Sequence, residues 1–102
     1  MSLNIEKVVN TNNITLTVDG RIDAGTVSTF RDEVMASVEE SAGDIILECE
    51  KLEYVSSIGL RVFLTAQKEL QKKNRHLEMH GVQEPIIRIL RMTGFDTFIK
   101  VV

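Results

Sequence analysis

Hydrophobic and polar residues alternate near the start of the chain in the pattern of a β-hairpin. Apolar residues stand at every second position from Ile14 to Val18, which is the period of a strand with one buried face. The segment from Leu3 to Val9 predicts a strand before it. Between them, Thr11-Asn12-Asn13 predicts a turn, because Asn tolerates left-handed backbone conformations and bonds its own backbone. The two strands are therefore predicted to pair in antiparallel fashion.

The next segment predicts a helix followed by a strand. Asp23 is placed to cap the start of the helix and Gly43 to end it. The nearly continuous apolar run from Asp44 to Cys49 indicates a strand that is covered on both faces. The apolar stripe of the helix consists of Val27, Phe30, Val34 and Val38.

A second helix is predicted to begin at or just after Ser57 and to end near Asn74. Its apolar residues have the spacing of one helical face. They are Leu60, Phe63, Leu64 and Leu70. Leu77 and Met79 then alternate with polar residues, which predicts another short strand.

Pro85 suits the first turn of a third helix, because the amide that proline lacks has no partner there. Gly94 is placed to end this helix, and Thr97 to Val102 predicts a last strand. The inner face of the helix is predicted to be Ile86, Ile89 and Leu90. Alternating strands and helices after a hairpin predict an α/β domain, with a small mixed, mostly parallel sheet and helices packed against it.

Composition narrows the possible functions. The 102 residues predict a single domain, 1–102, and 43% of them are hydrophobic. The net charge of −3, with basic residues spread along the chain, argues against a nucleic-acid partner. No signal peptide or membrane-spanning run is evident, and the single cysteine, Cys49, follows an apolar run that predicts a core position rather than a reactive thiol. We therefore expect a cytoplasmic protein that is not inserted in a membrane.

Ser57 supports two interpretations. Serine is a favoured N-cap, since its hydroxyl accepts a hydrogen bond from a first-turn amide. A serine at this place is also beside the positive end of the helix dipole, where a phosphate group is stabilised. Arg61 lies one turn further on and shares a face with Ser57. It is either a solvated surface residue or part of a face that responds to phosphate.

The remaining polar clusters do not predict catalysis, a metal or a cofactor. His76 and His80 are about 13 Å apart on a strand that rises about 3.3 Å per residue, so one ion cannot bind both. A cluster of three glutamates could suggest a carboxylate pair for acid–base catalysis, but so short a chain has little length for building the substrate cleft between them. The cluster consists of Glu48, Glu50 and Glu53. The chain contains neither the nucleotide-binding loop Gly-x-x-x-x-Gly-Lys-Ser/Thr nor the turn Gly-x-Gly-x-x-Gly. No pairing of a nucleophile with a general base is evident either. We expect a binding protein rather than an enzyme.

Three short motifs, in order, make the chain resemble the STAS-domain family of bacterial anti-sigma factor antagonists. Gly20-Arg21-Ile22-Asp23 resembles the family's Gly-x-Leu/Ile-Asp turn, which is followed by a helix and a buried strand. Ser56-Ser57-Ile58-Gly59-Leu60 resembles its Asp-Ser-Ser/Ala-Gly-Leu segment. Met92-Thr93-Gly94-Phe95 resembles its Leu/Met-Thr-Gly-Leu/Phe element, which precedes a last strand. Two positions depart from the family pattern: Ser56 and Glu48 stand where the family usually has Asp.

The resemblance implies a phosphorylation switch with Ser57 as phosphoacceptor and Ser56 as the second choice. In the implied cycle, the protein binds an anti-sigma factor, which is a serine kinase, and so frees a sigma factor. A PP2C-like phosphatase would reverse the phosphorylation. The residues expected to face the partner are Asp23, Ser56, Ser57, Ile58, Gly59 and Arg61.

A second function is also compatible with the resemblance. STAS domains occur as scaffold modules or subunits of transport complexes in which no phosphate cycle operates, and the replacement of Asp by Ser56 keeps this alternative open. We expect the isolated domain to be a monomer or a weak dimer, the latter through a sheet edge near Val101-Val102.

Overall fold

A computed structural model describes residues 3–102 as one mixed sheet of six strands with three α-helices. The strands are β1 (Leu3–Val9), β2 (Asn13–Ile22), β3 (Asp44–Glu48), β4 (Leu52–Val55), β5 (Leu77–His80) and β6 (Lys100–Val101). The helices are α1 (Val27–Glu40), α2 (Ser57–Gln71) and α3 (Glu84–Thr93). Within the described residues, none of the helices is long and apolar enough to cross a membrane.

The sheet has the strand order β1-β2-β3-β5-β6, and β4 pairs with the far end of β2. Strand β1 runs antiparallel to β2, as the hairpin prediction required, and every other pairing is parallel. The predicted fold class is therefore confirmed. Because β2 and β4 are parallel neighbours, the loops that leave their carboxyl ends lie side by side. This adjacency positions the candidate site.

The hydrophobic core lies on one face of the sheet, beneath the helices. Alternate residues of β2, β3 and β5 are fully buried there, among them Leu16, Leu47 and Met79. On the opposite face, Thr17 and Ile46 are only half-buried. The prediction that the Asp44–Cys49 run is covered on both faces is therefore wrong, because helices cover a single face of β3.

Two aromatic rings join α1 to α2. Phe30 and Phe63 meet edge to face, with ring centroids 5.5 Å apart and planes inclined at 85°. Both side chains are almost completely buried. An edge-to-face pair adds about 0.5–1.5 kcal/mol to the free energy gained by burying the rings. This contact fixes the spacing of the two helices near the middle of α2.

The ends of the helices confirm one predicted glycine stop and correct another. Gly94 ends α3 in the left-handed region, with φ of 79°, as predicted. Helix α1 instead ends at Glu40 with Ser41 as its C-cap. Gly43 lies in the following turn, where a Cβ atom would stand 1.7 Å from the carbonyl oxygen of Asn12. Its role is to permit close approach of two backbone segments, not to end the helix.

Two other predictions need correction. The segment Thr97–Val102 is not one strand, since a 3₁₀ helix covers Phe95–Thr97 and β6 contains only two residues. Of the predicted inner residues, Leu64 is only half-buried, whereas Ile89 is half-buried but packs against the core. In α2 the face toward the core is rotated, so that Val62 is buried in addition to Leu60 and Phe63.

Candidate phosphorylation and partner-binding surface

The candidate site forms where β2 and β4 end next to each other. The Ser56 amide, just after β4, donates a hydrogen bond of 2.8 Å to the carbonyl oxygen of Ile22 at the end of β2. This bond sets the turn that begins at Asp23 beside the start of α2. Two motifs that are far apart in the sequence therefore meet at one edge of the sheet.

Ser56, not Ser57, is the N-cap of α2. Its backbone is extended, with φ of −78° and ψ of 170°, and its Oγ accepts a hydrogen bond of 3.2 Å from the Gly59 amide. The Ser56 carbonyl also accepts the first helical bond, from the Leu60 amide at 3.0 Å. The interpretation of Ser57 as the cap is therefore wrong by one residue. The capping role belongs to the serine that stands where the family usually has Asp.

Ser57 is the first residue of α2 and is exposed. Among residues 3–102, no group is hydrogen-bonded to its hydroxyl, because the capping bond is made by Ser56. The backbone amides of the first turn lie beside it, at the positive end of the helix dipole. This hydroxyl is accessible to an enzyme, and its modification does not remove a bond that holds the helix.

Gly59 is buried and lets the start of α2 approach the sheet closely. A Cβ atom at this position would lie 2.8 Å from Cγ2 of Ile22 and 2.9 Å from Cγ1 of Val55. Both contacts are shorter than carbon atoms tolerate without movement. Because position 59 has no side chain, the start of α2 with Ser56 and Ser57 can lie close to the sheet. The neighbouring Ile58 side chain is 50% exposed.

Asp23 stabilises a turn rather than capping α1. Its Oδ1 accepts a hydrogen bond of 3.0 Å from the Gly25 amide. The N-cap of α1 is Thr26, which makes no side-chain capping bond. Instead, the Thr26 hydroxyl donates to the carbonyl oxygen of Arg21 at 2.7 Å and accepts from the Asp23 amide at 2.9 Å. The predicted cap was wrong because these bonds place three residues between Asp23 and the helix.

Arg21 and Tyr54 form a contact that the sequence analysis missed. They are partners in the register of β2 and β4, and the Arg21 guanidinium carbon lies 4.5 Å from the centroid of the Tyr54 ring. Such a cation–π contact contributes about 0.5–1 kcal/mol at an exposed site. Arg21 Nε is also 4.0 Å from Oδ2 of Asp23. The guanidinium thus links the Asp23 turn to the strand that leads into Ser56.

A groove lies between α1 and the first turns of α2. Its volume is about 200 Å³. Arg61, predicted from its spacing to Ser57, is exposed on the wall of this groove. The sequence analysis missed the residues that α1 contributes, since their place depends on helix packing. The lining consists of Arg31, Met35, Ile58, Arg61, Val62 and Thr65.

The other polar clusters are separate from this surface. His80 lies 2.9 Å from Glu78 and 3.8 Å from Glu48, but no metal-binding group of three such residues is found within residues 3–102. Burial raises the pKa of the Cys49 thiol to about 12, and the neighbouring carboxylate of Glu48 adds to the effect. Cys49 is a core residue, as predicted, and its thiol stays protonated at neutral pH.

The division of roles between the two serines predicts different effects on stability. We expect Ser56→Ala to lower the free energy of unfolding by about 1 kcal/mol, since the Gly59 amide loses its acceptor. Ser57→Ala is the matched control and should change it by less than about 0.5 kcal/mol. Urea denaturation of both variants measures this difference. Equal losses for the two variants would contradict the assignment of Ser56 as the cap.

The STAS domain family model matches residues 4–102, nearly the whole chain. The chain belongs to the STAS domain family. The motif segments on which the sequence resemblance rested therefore lie within the matched region, including both serines at the start of α2.

Relatives of this STAS domain include regulatory proteins. The anti-sigma-B factor antagonist of Bacillus subtilis (strain 168) is 27% identical over 101 residues, which cover 99% of this chain and 92% of the relative. An anti-sigma factor antagonist from Mycobacterium paratuberculosis has the same fold, with a TM-score of 0.87 at 20% identity, covering 98% and 85% of the two chains. The Bacillus protein SpoIIAA in its phosphorylated form gives a TM-score of 0.75 at 16% identity, covering 99% and 91%.

A transport protein also has a similar fold. A sulfate transporter family protein from Wolinella succinogenes gives a TM-score of 0.72 at 22% identity, and the match covers 89% of this chain and 74% of that one. This likeness covers less of either chain than the likeness to the mycobacterial antagonist. The STAS fold is therefore shared by proteins of both kinds.

Proposed function

We propose that this STAS domain is an anti-sigma factor antagonist that is switched by phosphorylation of Ser57. In the unphosphorylated state it binds an anti-sigma factor and thereby releases a sigma factor. The anti-sigma factor is a serine kinase that uses ATP to phosphorylate Ser57, and a PP2C-like phosphatase restores the binding form. The protein itself catalyses no reaction in this cycle, and its partners place its action in the cytoplasm.

The observation that carries this proposal is the exposed hydroxyl of Ser57, which has no hydrogen-bond partner among residues 3–102 and lies beside a serine that caps the helix. Ser56 is half-buried and its Oγ is engaged by the Gly59 amide, which makes Ser57 the better acceptor for a kinase. The relatives support the proposal, since the Bacillus subtilis protein is an anti-sigma-B factor antagonist and SpoIIAA has been solved in a phosphorylated form.

Around Ser57, the exposed groups of the Asp23 turn and the first turns of α2 form the proposed partner surface. The Asp23 carboxylate is half-buried, and Ile58 and Arg61 are exposed. Gly59 is buried beneath them, so its contribution is to hold this surface in place. A phosphate on Ser57 adds a charge of about −1.5 to −2 in the middle of these groups. Burying that charge against a surface without cations costs several kcal/mol, so the phosphorylated form is released.

The proposal is tested by capturing partners from the native cell extract with two baits, Ser57→Ala and Ser57→Asp, followed by mass spectrometry. We expect the alanine bait to capture an ATP-binding serine kinase that the aspartate bait does not retain. Thr11→Asp provides a matched control, since it adds the same charge at an exposed position near the other end of β2. It should capture the kinase as well as the unmodified protein does.

Two outcomes would contradict the proposal. Phosphopeptide mapping that places the phosphate on Ser56 would shift the acceptor by one residue. Identical proteins on both baits, without a kinase, would instead favour a scaffold or transporter-associated subunit, the alternative that the likeness to the Wolinella succinogenes protein supports. Transport proteins on both baits would establish that alternative directly.

A further inference from the structure

The groove between α1 and α2 combines an apolar floor with two cationic walls. Met35 and Val62 form its floor, and Ile58 stands half exposed at its margin. Arg31 from α1 and Arg61 from α2 both line it. An apolar cavity of about 150 Å³ is enough to hold benzene. At about 200 Å³, the groove has room for one large apolar side chain.

The charges of the groove are not balanced within the described part of the chain. No acidic side chain in residues 3–102 forms an ion pair with Arg31 or Arg61. The closest side-chain partner of Arg31 is the hydroxyl of Ser28, at 3.5 Å from Nη2. Helix α2 contains no acidic residue from Ser57 to Lys68. The residues that line the groove thus include two arginines and no acidic side chain, although Asp32 and Glu33 follow Arg31 on α1.

We propose that this groove receives a segment of the anti-sigma factor in which a bulky apolar side chain stands next to a carboxylate. The inference rests on the proposed function and specifies the chemistry of the partner. The apolar side chain fills the space over Met35 and Val62, and the carboxylate lies between Arg31 and Arg61. Arginine is suited to this task, because its planar guanidinium binds a carboxylate through two parallel hydrogen bonds.

Arg61 links this groove to the phosphorylation switch. It lies one helical turn after Ser57, and the two side chains share an exposed face of α2. A phosphate on Ser57 attracts the Arg61 guanidinium and repels the carboxylate of the partner. Phosphorylation therefore weakens binding in two ways: it adds a charge at the interface, and it withdraws one of the two cations that hold the partner.

A peptide selection tests the groove without using the kinase. A randomised peptide library displayed on phage is selected on the 102-residue protein, and enriched peptides are measured by fluorescence anisotropy. We expect enrichment of Leu, Ile or Phe adjacent to Asp or Glu. The double variant Arg31→Gln, Arg61→Gln should raise the Kd of such a peptide about 30-fold, since each arginine is a central charged contact. In two-dimensional NMR spectra, the methyl signals of Met35 and Val62 should shift on binding.

The matched control is Lys51→Gln, Arg88→Gln, which removes two positive charges at exposed positions outside the groove. It should change the Kd less than twofold, and circular dichroism should show that both double variants are folded. Enriched peptides without carboxylates, or equal losses in the two double variants, would overturn the inference. So would a dimer that dissociates in the groove variant, because the occupant would then be a second copy of this chain.

The two proposals can fail separately. Acidic, apolar peptides that bind the groove, combined with identical proteins on the Ser57 baits, would retain the groove as a binding site and reject the phosphorylation switch. A kinase that is captured by the alanine bait and binds the groove variant with unchanged affinity would retain the switch and reject the groove as its docking site.

Discussion

Phosphorylation of Ser57 is expected to weaken binding to the anti-sigma factor about 1,000-fold, which corresponds to about 4 kcal/mol. The hydroxyl is exposed at the first position of α2, so the phosphate would stand within the partner surface. Burying this added charge against a partner surface that supplies no cation costs several kcal/mol. The free energy of unfolding should change by less than about 1 kcal/mol, because the capping bond comes from Ser56 and the helix dipole favours the phosphate.

Phosphoserine can be incorporated at position 57 by genetic code expansion, and the affinity for the captured kinase can be measured by calorimetry. The matched control carries phosphoserine in place of Thr11, in the exposed hairpin turn. We expect its affinity to be within about threefold of the unmodified protein. A similar loss at both positions would attribute the effect to net charge alone. A loss of helix on modification of Ser57 would show that the hydroxyl has a structural role.

Phe63→Ala is expected to have the largest effect on stability, a loss of about 3–5 kcal/mol in the free energy of unfolding. Phe63 is 1% exposed and meets the Phe30 ring edge to face at 5.5 Å. The substitution removes the burial of one ring, the aromatic contact and the spacer between α1 and α2. Since whole domains are stable by about 5–15 kcal/mol, the variant should be partly unfolded at physiological temperature.

Ile58→Ala is the control for Phe63→Ala on the same helix. Ile58 is 50% exposed, so we expect a loss below about 1 kcal/mol in urea denaturation. The two variants should also have different effects on the groove. Phe63→Ala changes the spacing of the helices that line the groove, whereas Ile58→Ala leaves it and removes one contact at its margin. Comparable losses of stability would contradict the central position of the Phe30–Phe63 pair.

The fold was predictable where a single period runs through a whole element. The alternation from Ile14 to Val18 predicted the strand, its buried face and, with the turn before it, the hairpin. Strand β4 was not predicted because burial does not alternate along it: Leu52 and Val55 are buried, and the two residues between them are exposed. The last strand was predicted too long, since Thr97 makes a local bond to the Gly94 carbonyl at 2.6 Å instead. The secondary structure of short segments depends on such local contacts, and hydrophobic periodicity does not reveal these contacts.

The site was predictable in position but not in the roles of its residues. Two adjacent serines before an amphipathic helix identify its start, yet only the extended backbone of Ser56 shows which of them caps it. Asp23 was assigned to the wrong element because a turn separates it from α1. Arg31 was not recognised at all, since nothing in the sequence relates it to Arg61. Their proximity is a property of the helix packing.

The separation of the capping serine from the proposed phosphoacceptor has a consequence for the cellular concentration of the protein. Proteases act on the unfolded fraction, which depends on the free energy of unfolding. In the proposed cycle, the cap on Ser56 should let both phosphorylation states unfold to a similar extent and have similar lifetimes. The proportion of active molecules would then be governed by the opposing rates of kinase and phosphatase. A signal can be given and withdrawn many times without new synthesis of the protein.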